Sequence, residues 1–144
     1  MNFTTLNLKP ADRIVVPKSG IRLIQHHAIC LGQDKDGRHL IAENKIGIGV
    51  GLVTAEDFFK DVIEIIEIKR FIGNNYQRKL AVQKALNKLG LPYHLIDYNC
   101  QHFANEVQYN RIKSEQVDNF FTAIKYVSGF LFLVALADSF SKGK

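Results

Sequence analysis

The chain lacks most of the patterns that mark disulfide-rich, metal-binding or nucleotide-binding proteins. Its 144 residues include only two cysteines, Cys30 and Cys100, which are too few for a disulfide framework. There is no C-x-x-C pair and no H-x₃₋₅-H pair, so the ligand spacing of a zinc site is missing. The glycines at 47, 49 and 51 do not form the G-x-x-x-x-G-K-[ST] pattern of a phosphate loop. The sequence therefore predicts neither a metal nor a cofactor.

The apolar core of a secretory signal is missing from residues 1–18, which hold Pro10 and several charges. We therefore expect an intracellular, cytoplasmic setting, in which reducing conditions keep thiols free. Basic residues exceed acidic ones by 19 to 14, and this net charge of +5 favours a negatively charged partner. No zinc-finger or RNA-module signature accompanies the charge. We therefore expect a membrane surface and no nucleic acid, although many small basic domains bind neither.

Length and composition predict a folded chain with one principal core, since 47% of the residues are apolar and 23% are charged. Segments typical of strands come first and segments typical of helices come later, which predicts an α+β fold. Strands are predicted at 13–16, 23–31, 39–43 and 62–68, with a turn at 33–37 and a loop with a strand edge at 46–53.

Capping residues and apolar spacing predict one helix start and two complete helices. Thr54, followed by two acidic residues, is typical of a helix N-cap. Residues 77–89 have an amphipathic pattern that ends before Pro92, and Asn99 can cap a helix running from Cys100 to about residue 109. The inward side chains would be Val82, Ala85, Leu86 and Leu89 in the first helix, and Phe103, Ala104 and Val107 in the second.

Cys100 has the strongest chemical context of any residue in the chain. A cysteine in the first turn of a helix meets the positive end of the helix dipole, which stabilises the thiolate and lowers the thiol pKa. Its own N–H group would also help to form an oxyanion hole. On composition alone, a buried and inert cysteine is the commoner outcome. The histidines at 26, 27 and 39 on a predicted hairpin suggest instead the thiol–imidazole pair of a papain-like enzyme.

His26 and His27 are neighbours on one predicted strand, so their side chains point to opposite faces of the sheet. They cannot both bind one metal ion, and they cannot both reach Cys100. Strand alternation by itself leaves open which of the two is the base.

Two short motifs, HHAICLG at 26–32 and NCQHF at 99–103, occur together with further segments in a fixed order. They resemble the H-[WYH]-[AG]-[IL]-Y-[LV]-G and N-C-E-H-F signatures of the lecithin:retinol acyltransferase family. The ordered set is most similar to the phospholipase A/acyltransferase branch related to the H-rev tumour suppressor. The other matching segments are 9–14 (KPADRI), 91–95 (LPYHL), 105–109 (NEVQY) and 114–117 (SEQV).

The resemblance implies a permuted NlpC-type, papain-like thiol hydrolase fold, in which a small antiparallel sheet packs on helices. It also implies that an acyl group passes from a glycerophospholipid to a cysteine, and then to water, an amine or a lysophospholipid. By position in the motifs, Cys100 matches the nucleophile and His26 matches the base. His39 matches the second histidine that orients the base, although the intervening turn is one residue longer.

Three positions depart from the family pattern. His27 stands in place of an aromatic residue, Cys30 in place of tyrosine, and Gln101 in place of glutamate. None of the three removes a reacting group. Cys30 is expected to be a small buried apolar residue rather than a second nucleophile.

The end of the chain is strongly apolar. We expect a catalytic domain at 1–117 and an apolar segment at 118–144, in which residues 120–137 carry the single charge of Lys125. Its uncharged part, residues 126–137, is shorter than the about 20 residues of a full membrane span. Two interpretations stay open: a helix buried on the core, or a membrane anchor, which the resemblance to eukaryotic enzymes favours.

The sequence thus predicts a phospholipase A-type thiol acyltransferase or hydrolase, acting on glycerophospholipids at a membrane surface. One alternative is a thiol amidase or peptidase that cleaves a small amide. Another is a membrane-associated scaffold that keeps the fold without turnover.

Overall fold

A five-stranded antiparallel sheet organises the first of two units into which the chain divides, Met1–Ser114 and Glu115–Lys144. The computed structural model describes the backbone of residues 3–18 and 21–141, and the side chains of residues 5–18 and 24–132. Within these residues the strand order is β4-β3-β2-β1-β5. The strands are β1 (Arg13–Lys18), β2 (Ile21–Gln33), β3 (His39–Lys45), β4 (Gly49–Thr54) and β5 (Glu67–Lys69). The α-helices are α1 (Ala55–Lys60), α2 (Asn75–Leu86), α3 (Cys100–Tyr109) and α4 (Glu115–Ser141).

The predicted α+β class with a small antiparallel sheet is confirmed, and the side-chain alternation along β2 divides the core between two faces. On one face Ile29 belongs to a cluster with residues of α2 and α3, including the fully buried Phe103. On the other face Ala28 belongs to a cluster with residues of α1, including Phe59. Helices therefore cover both faces of the sheet, and adjacent residues of β2 meet different surroundings.

The predicted strands lie within the observed ones, except at two places. Residues 46–53, predicted as a loop and strand edge, contain most of β4, which pairs with β3 from Leu40↔Thr54 to Lys45↔Gly49. Gly49 has a φ of +86°, and an added Cβ would lie 2.3 Å from the carbonyl oxygen of Leu91, so this turn requires glycine. The predicted strand at 62–68 is reduced to the short β5, because only Glu67–Lys69 pairs with β1.

The helix boundaries show what local signals can and cannot specify. Helix α3 begins at Cys100 and ends at Tyr109, as the Asn99 cap predicts, and its three predicted inward residues are buried. Helix α2 begins earlier than predicted, because Asn74 and Gln77 form a capping box. It also ends earlier, at Leu86, so that Leu89 lies outside the helix and is 40% exposed.

The second unit contains α4, which includes most of the apolar segment predicted at 118–144; residues 142–144 lie outside the described part. Its aromatic and aliphatic side chains from Phe120 to Phe132 are exposed, and they project in all directions around the helix axis. By length and hydropathy, no helix in the described part of the chain qualifies as a membrane span. The exposed large apolar residues of α4 are Phe120, Phe121, Ile124, Tyr126, Val127, Phe130, Leu131 and Phe132.

Candidate active site

Asn99 fixes the position of Cys100 at the start of α3. The Oδ1 atom of Asn99 accepts hydrogen bonds from the backbone N–H groups of Gln101 (2.9 Å) and His102 (3.1 Å). In return, the Asn99 N–H donates to Nδ1 of His102 at 3.2 Å, which completes a capping box. Cys100 is therefore the first helical residue, where the helix dipole favours a negative sulfur.

The cap is itself held in place by the segment that follows α3. Asn99 Nδ2 donates to the carbonyl oxygen of Leu95 at 3.0 Å and to the hydroxyl of Ser114 at 3.2 Å. The Ser114 hydroxyl then donates to Oε1 of Gln101 at 2.8 Å. Ser114 and Gln101 are both buried. Gln101, at the position where the motif that the chain resembles has glutamate, thus helps to anchor the start of α3.

The sulfur of Cys100 lies where the β2–β3 ladder opens. Pairing between these strands runs from Gln33↔His39 to Ala28↔Glu43. From His27 toward Ile21, the only strand that pairs with β2 among the described residues is β1. The backbone N–H of His27 donates a hydrogen bond to Cys100 Sγ, and the carbonyl oxygen of Gln25 lies 3.7 Å from it. Gln25 and His27 are alternate residues of β2, so their backbone groups point to the same side of the strand. The thiol therefore occupies the position that a neighbouring strand would otherwise fill.

His26 connects the thiol to a carboxylate. Its Nε2 atom lies 2.6 Å from Oε2 of Glu43, and the ring is also hydrogen-bonded to Cys100. With Nε2 engaged by Glu43, Nδ1 is the nitrogen available to the sulfur. Burial by itself would lower the pKa of His26, but the hydrogen bonds and negative charges of Cys100 and Glu43 raise it to about 9.

The same contacts act on the thiol in the opposite sense. Burial would raise the pKa of Cys100, yet the hydrogen bond and positive charge of His26, with the His27 N–H bond, hold it below its usual value. Burial likewise would raise the pKa of Glu43. The hydrogen bond to His26 outweighs burial, so the pKa of Glu43 is lowered. The three groups therefore each favour the ionised form of their neighbour: the imidazolium of His26 stabilises both the thiolate of Cys100 and the carboxylate of Glu43.

One backbone donor at the start of α3 is left for an oxyanion. The first free N–H groups of a helix are those expected to stabilise negative charge. Here the N–H groups of Gln101 and His102 bond to the Asn99 side chain, and that of Phe103 bonds to the Asn99 carbonyl. Only the N–H of Cys100, among these four, has no acceptor within the described residues.

His27 lies on the opposite face of β2 and has no access to the sulfur through its ring. Its Nδ1 atom accepts from the guanidinium of Arg13, at 3.1 Å from Nε and 2.8 Å from Nη2. Arg13 Nη1 also donates to Oδ1 of Asn105 in α3 at 2.5 Å. Burial, followed by the positive charge of Arg13, lowers the pKa of His27 to about 2, so this imidazole is neutral.

The orienting role predicted for His39 is corrected by the geometry. His39 pairs with Gln33, and its Nε2 lies 3.1 Å from the Gln33 amide nitrogen. Seven residues separate Gln33 from His26 along β2, a distance of about 20 Å in a strand. Glu43, four residues after His39 on β3, occupies the position beside His26 instead.

Cys30 is as buried as Cys100, but its surroundings are different. It is 2% exposed, lies in the paired part of β2 opposite Ile41, and lines a small cavity of about 170 Å³ that also includes His39. Burial raises the pKa of the Cys30 thiol. This placement agrees with the expectation of a buried apolar residue.

A cleft of about 460 Å³ opens on the face of the sheet that carries His26 and Glu43. Phe58 of α1 lines this cleft, and its ring centroid is 6.2 Å from that of His26. Cys100 is 3% exposed and is not among the residues that line this cleft, and it lies close enough to Tyr93 to affect its pKa. Burial and the negative charge of Cys100 raise the pKa of Tyr93 to about 12, and Lys18 Nζ lies 5.6 Å from the Tyr93 ring centroid.

Sequence reasoning missed Glu43 and the Arg13–His27–Asn105 contacts. A signal for Glu43 was present, since a carboxylate in an apolar strand two residues after Ile41 shares the face of Ile41. Arg13 gave no comparable signal, because only the tertiary structure brings it to α3. Within the part of the chain that the structure describes, no three His, Cys, Asp or Glu side chains are grouped to hold a metal ion.

Comparison of the sequence with family models and with curated proteins finds no match. The chemical interpretation of the site therefore depends on its geometry and on the motif resemblance.

Proposed function

We propose that this chain is a cysteine-dependent acyltransferase or hydrolase that forms a thioester on Cys100. The observation that carries the proposal is the hydrogen-bonded series Cys100–His26–Glu43 at the start of α3. A nucleophile, a base within hydrogen-bond reach and a third group that orients the base are the elements of nucleophilic acyl transfer. The motif resemblance supports a permuted NlpC-type, papain-like fold of the lecithin:retinol acyltransferase kind.

In the proposed reaction the Cys100 thiolate attacks the carbonyl carbon of an ester. The N–H of Cys100 donates to the oxyanion as the tetrahedral intermediate forms. The His26 imidazolium then gives its proton to the departing alcohol, and the acyl group stays on sulfur as a thioester. Neutral His26 next removes a proton from the acceptor, which attacks the thioester and regenerates the thiolate.

Glu43 has two effects on this cycle. Its hydrogen bond to Nε2 fixes the imidazole plane, so that Nδ1 is directed to the sulfur. Its negative charge also stabilises the imidazolium that forms beside the thiolate. Glu43 is thus a positioning residue that acts through His26.

A glycerophospholipid is the proposed acyl donor, and a membrane surface is the proposed place of reaction. The motif resemblance supports the donor. The net charge of +5 and the exposed apolar side chains of α4 support membrane association, whereas the helix is not long and apolar enough to count as a span. Interfacial binding through an apolar helix and a basic surface needs no span.

The direct test is to incubate the pure full-length chain with phosphatidylcholine vesicles and search for an acyl adduct by peptide mass spectrometry. We expect an adduct on Cys100, none on Cys30, and none in the Cys100→Ser variant. A small amide substrate is tested in parallel. Turnover of the amide without an acyl adduct from any phospholipid would contradict the proposal and favour a thiol amidase.

A further inference from the structure

The buried side chain of Arg13 contacts both β2 and α3 from β1. Arg13 is the first residue of β1, and its side chain is the largest fully buried one among the described residues. It lies opposite Ile29 in the β1–β2 ladder, so it shares a face of the sheet with Ile29 and with His27, two residues earlier on β2. Helix α3 covers this face and brings Asn105 to the guanidinium. Arg13 therefore lies where two strands and the helix of Cys100 meet.

A charged side chain is an unfavourable way to fill a core position. Burial of a guanidinium costs free energy unless its donors find acceptors, and apolar residues of similar volume often stabilise a core better. What the guanidinium adds is direction: Nε and Nη2 donate to Nδ1 of His27, and Nη1 donates to Oδ1 of Asn105. Apolar contacts between a helix and a sheet have no preferred direction, whereas hydrogen bonds restrict distances and angles. These bonds therefore fix the separation of β2 from α3, and we call the three side chains of Arg13, His27 and Asn105 the Arg13 bridge.

His27 belongs to the Arg13 bridge through its ring and to the active site through its backbone. Its N–H group donates to Sγ of Cys100, while its Nδ1 accepts from Arg13. Asn105 follows Cys100 by five residues on α3. The contacts therefore run from the sulfur to His27, through the bridge to Asn105, and back along α3 to the sulfur. In such a closed series one distance cannot change without a change in another, so the distance from the His27 N–H group to the sulfur depends on the bridge.

The Arg13 bridge persists over the pH range in which a thiol ionises. Nδ1 of His27 can accept a hydrogen bond only while it carries no proton. Burial, together with nearby positive charges, lowers the pKa of His27 to about 2. The charges are those of Arg13, of His26 on the other face of β2, and of Lys69, which lies opposite Arg13 on β5. A titration of Cys100 therefore leaves His27 neutral and the bridge intact.

We propose that Arg13 is a positioning residue that holds β2 and α3 at the separation at which the His27 N–H group bonds to the sulfur. Without the Arg13 bridge this hydrogen bond lengthens, and the thiolate loses part of its stabilisation. The cap at Asn99 has a different effect, since it orders the first turn of α3 but does not determine how far α3 lies from β2. Any effect on acyl transfer rests on the proposed function, whereas the effect on the thiol does not.

The test measures the pH midpoint of Cys100 alkylation by iodoacetamide in the full-length chain, with peptide mass spectrometry as the readout. Arg13→Lys keeps the positive charge but replaces the planar fork with a single ammonium, which cannot bond to both acceptors in the same way. We expect its midpoint to rise by the equivalent of a roughly two- to fivefold loss of thiolate, the range of one weakened hydrogen bond.

The same replacement in a second background shows whether Arg13 acts through His27. In His27→Ala the ring that links Arg13 to β2 is absent. Arg13→Lys should therefore leave the midpoint of His27→Ala unchanged, although it raises the midpoint of the wild-type chain. A general loss of stability would raise the midpoint equally in both backgrounds, and that result would contradict the proposal. Circular dichroism confirms that each variant is folded.

Arg78→Lys is the matched control for destabilisation. Arg78 donates to the buried Asp12, the neighbour of Arg13 in sequence, and to the carbonyl oxygens of Pro10 and Phe71. We expect Arg78→Lys to lower the free energy of unfolding and to leave the alkylation midpoint of the thiol unchanged.

Two replacements of Asn105 test the Arg13 bridge from the side of α3. Asn105→Ala and Asn105→Asp both remove the hydrogen bond from Nδ2 to the carbonyl oxygen of Lys113, but only the aspartate side chain still accepts from Arg13. The midpoint should rise in Asn105→Ala and stay close to the wild-type value in Asn105→Asp. This pair decides the question if Arg13→Lys does not fold.

An unchanged midpoint in folded Arg13→Lys or in Asn105→Ala would overturn the positioning role, and so would an equal rise in Arg78→Lys. The result is separable from that for acyl transfer. Unchanged midpoints with an acyl adduct on Cys100 refute the positioning role and leave the proposed function intact. Midpoints that rise as expected, with no adduct from any phospholipid, support the positioning role and refute acyl transfer from phospholipids.

Discussion

Adjacent histidines on β2 have opposite properties because the two faces of the sheet differ. His26 is buried between a thiol and a carboxylate, and their hydrogen bonds and charges outweigh the effect of burial and raise its pKa to about 9. His27 lies against the buried guanidinium of Arg13, and burial together with that charge lowers its pKa to about 2. The same imidazole is thus a cation on one face and neutral on the other. Catalytic potential here is set by what each face contacts, not by residue type.

The two cysteines also differ in their surroundings. The largest expected change in the rate of acyl transfer comes from replacing Cys100. Cys100→Ser should lower the rate of acyl transfer by at least about 10³-fold, because a hydroxyl is much harder to ionise than this thiol. Cys30→Ser should leave the rate close to that of the wild-type chain and lower the free energy of unfolding instead, since it places a hydroxyl in the core. Rates and urea denaturation of both variants measure this. A folded Cys100→Ser protein with wild-type rates would contradict the assignment.

Replacing His26 and His27 one at a time shows which face of the sheet contributes to the rate and which to stability. His26→Ala should lower the rate by about 10²- to 10⁴-fold, the usual contribution of a general base. His27→Ala should retain much of the activity but lose about 1–3 kcal/mol of stability, because Arg13 then loses a buried hydrogen-bond acceptor. The comparison requires steady-state rates and denaturant midpoints for both proteins. The reverse order of rates would show that His27 is the base.

Glu43 and His39 both belong to β3, and replacing each one tests which of them orients His26. Glu43→Gln should lower the rate by about 10- to 100-fold, the range typical of residues that orient a reacting group. The glutamine keeps the size and one hydrogen bond of the glutamate but removes the charge that stabilises imidazolium. His39→Gln should leave the rate unchanged, since His39 lies opposite Gln33. A larger loss from His39→Gln than from Glu43→Gln would restore His39 as the orienting residue.

The smallest effect on catalysis is expected from removing most of the second unit. Deleting residues 120–144 should release the protein from liposomes while the rate on a short-chain soluble ester stays the same, because residues up to Ser114 form their own unit. If the segment belonged to the core, its loss would remove several buried side chains at about 1.5–3 kcal/mol each and unfold the domain. Liposome flotation and circular dichroism of the truncated chain distinguish these cases. A truncated chain that is unfolded or still floats would contradict membrane association through α4.

Local features made part of this arrangement predictable from sequence. The cap at Asn99 involves only its own side chain and the N–H groups of the next residues, Gln101 and His102. Because these residues are neighbours in sequence, the start of α3 could be predicted. Strand alternation placed His26 and His27 on opposite faces for the same reason. The α+β class followed from strand and helix signals along the chain.

Other features depend on distant residues and could not be predicted. The β2–β3 ladder ends at Ala28↔Glu43, and Cys100 of α3 lies beside Gln25 just beyond it. The residues of β2 give no sign of this in their own sequence. The motif resemblance pointed to a second histidine, and His39 satisfied the pattern although its register places it opposite Gln33. Arg13 and Asn105 are 92 residues apart in sequence, and only folding brings them together.

The central claim is that His26 holds Cys100 as a thiolate, and the pH dependence of thiol alkylation tests it most directly. Iodoacetamide labelling of Cys100 is measured from pH 5 to pH 10 by peptide mass spectrometry, in wild-type chain and in His26→Ala. A thiolate stabilised by His26 keeps reacting as the pH falls, until the lowered pKa of Cys100 is reached. We therefore expect the wild-type midpoint below 9.0, the ordinary value for the thiol, and a shift upward in His26→Ala. A wild-type midpoint at or above 9.0, or one that His26→Ala leaves unchanged, would contradict the claim.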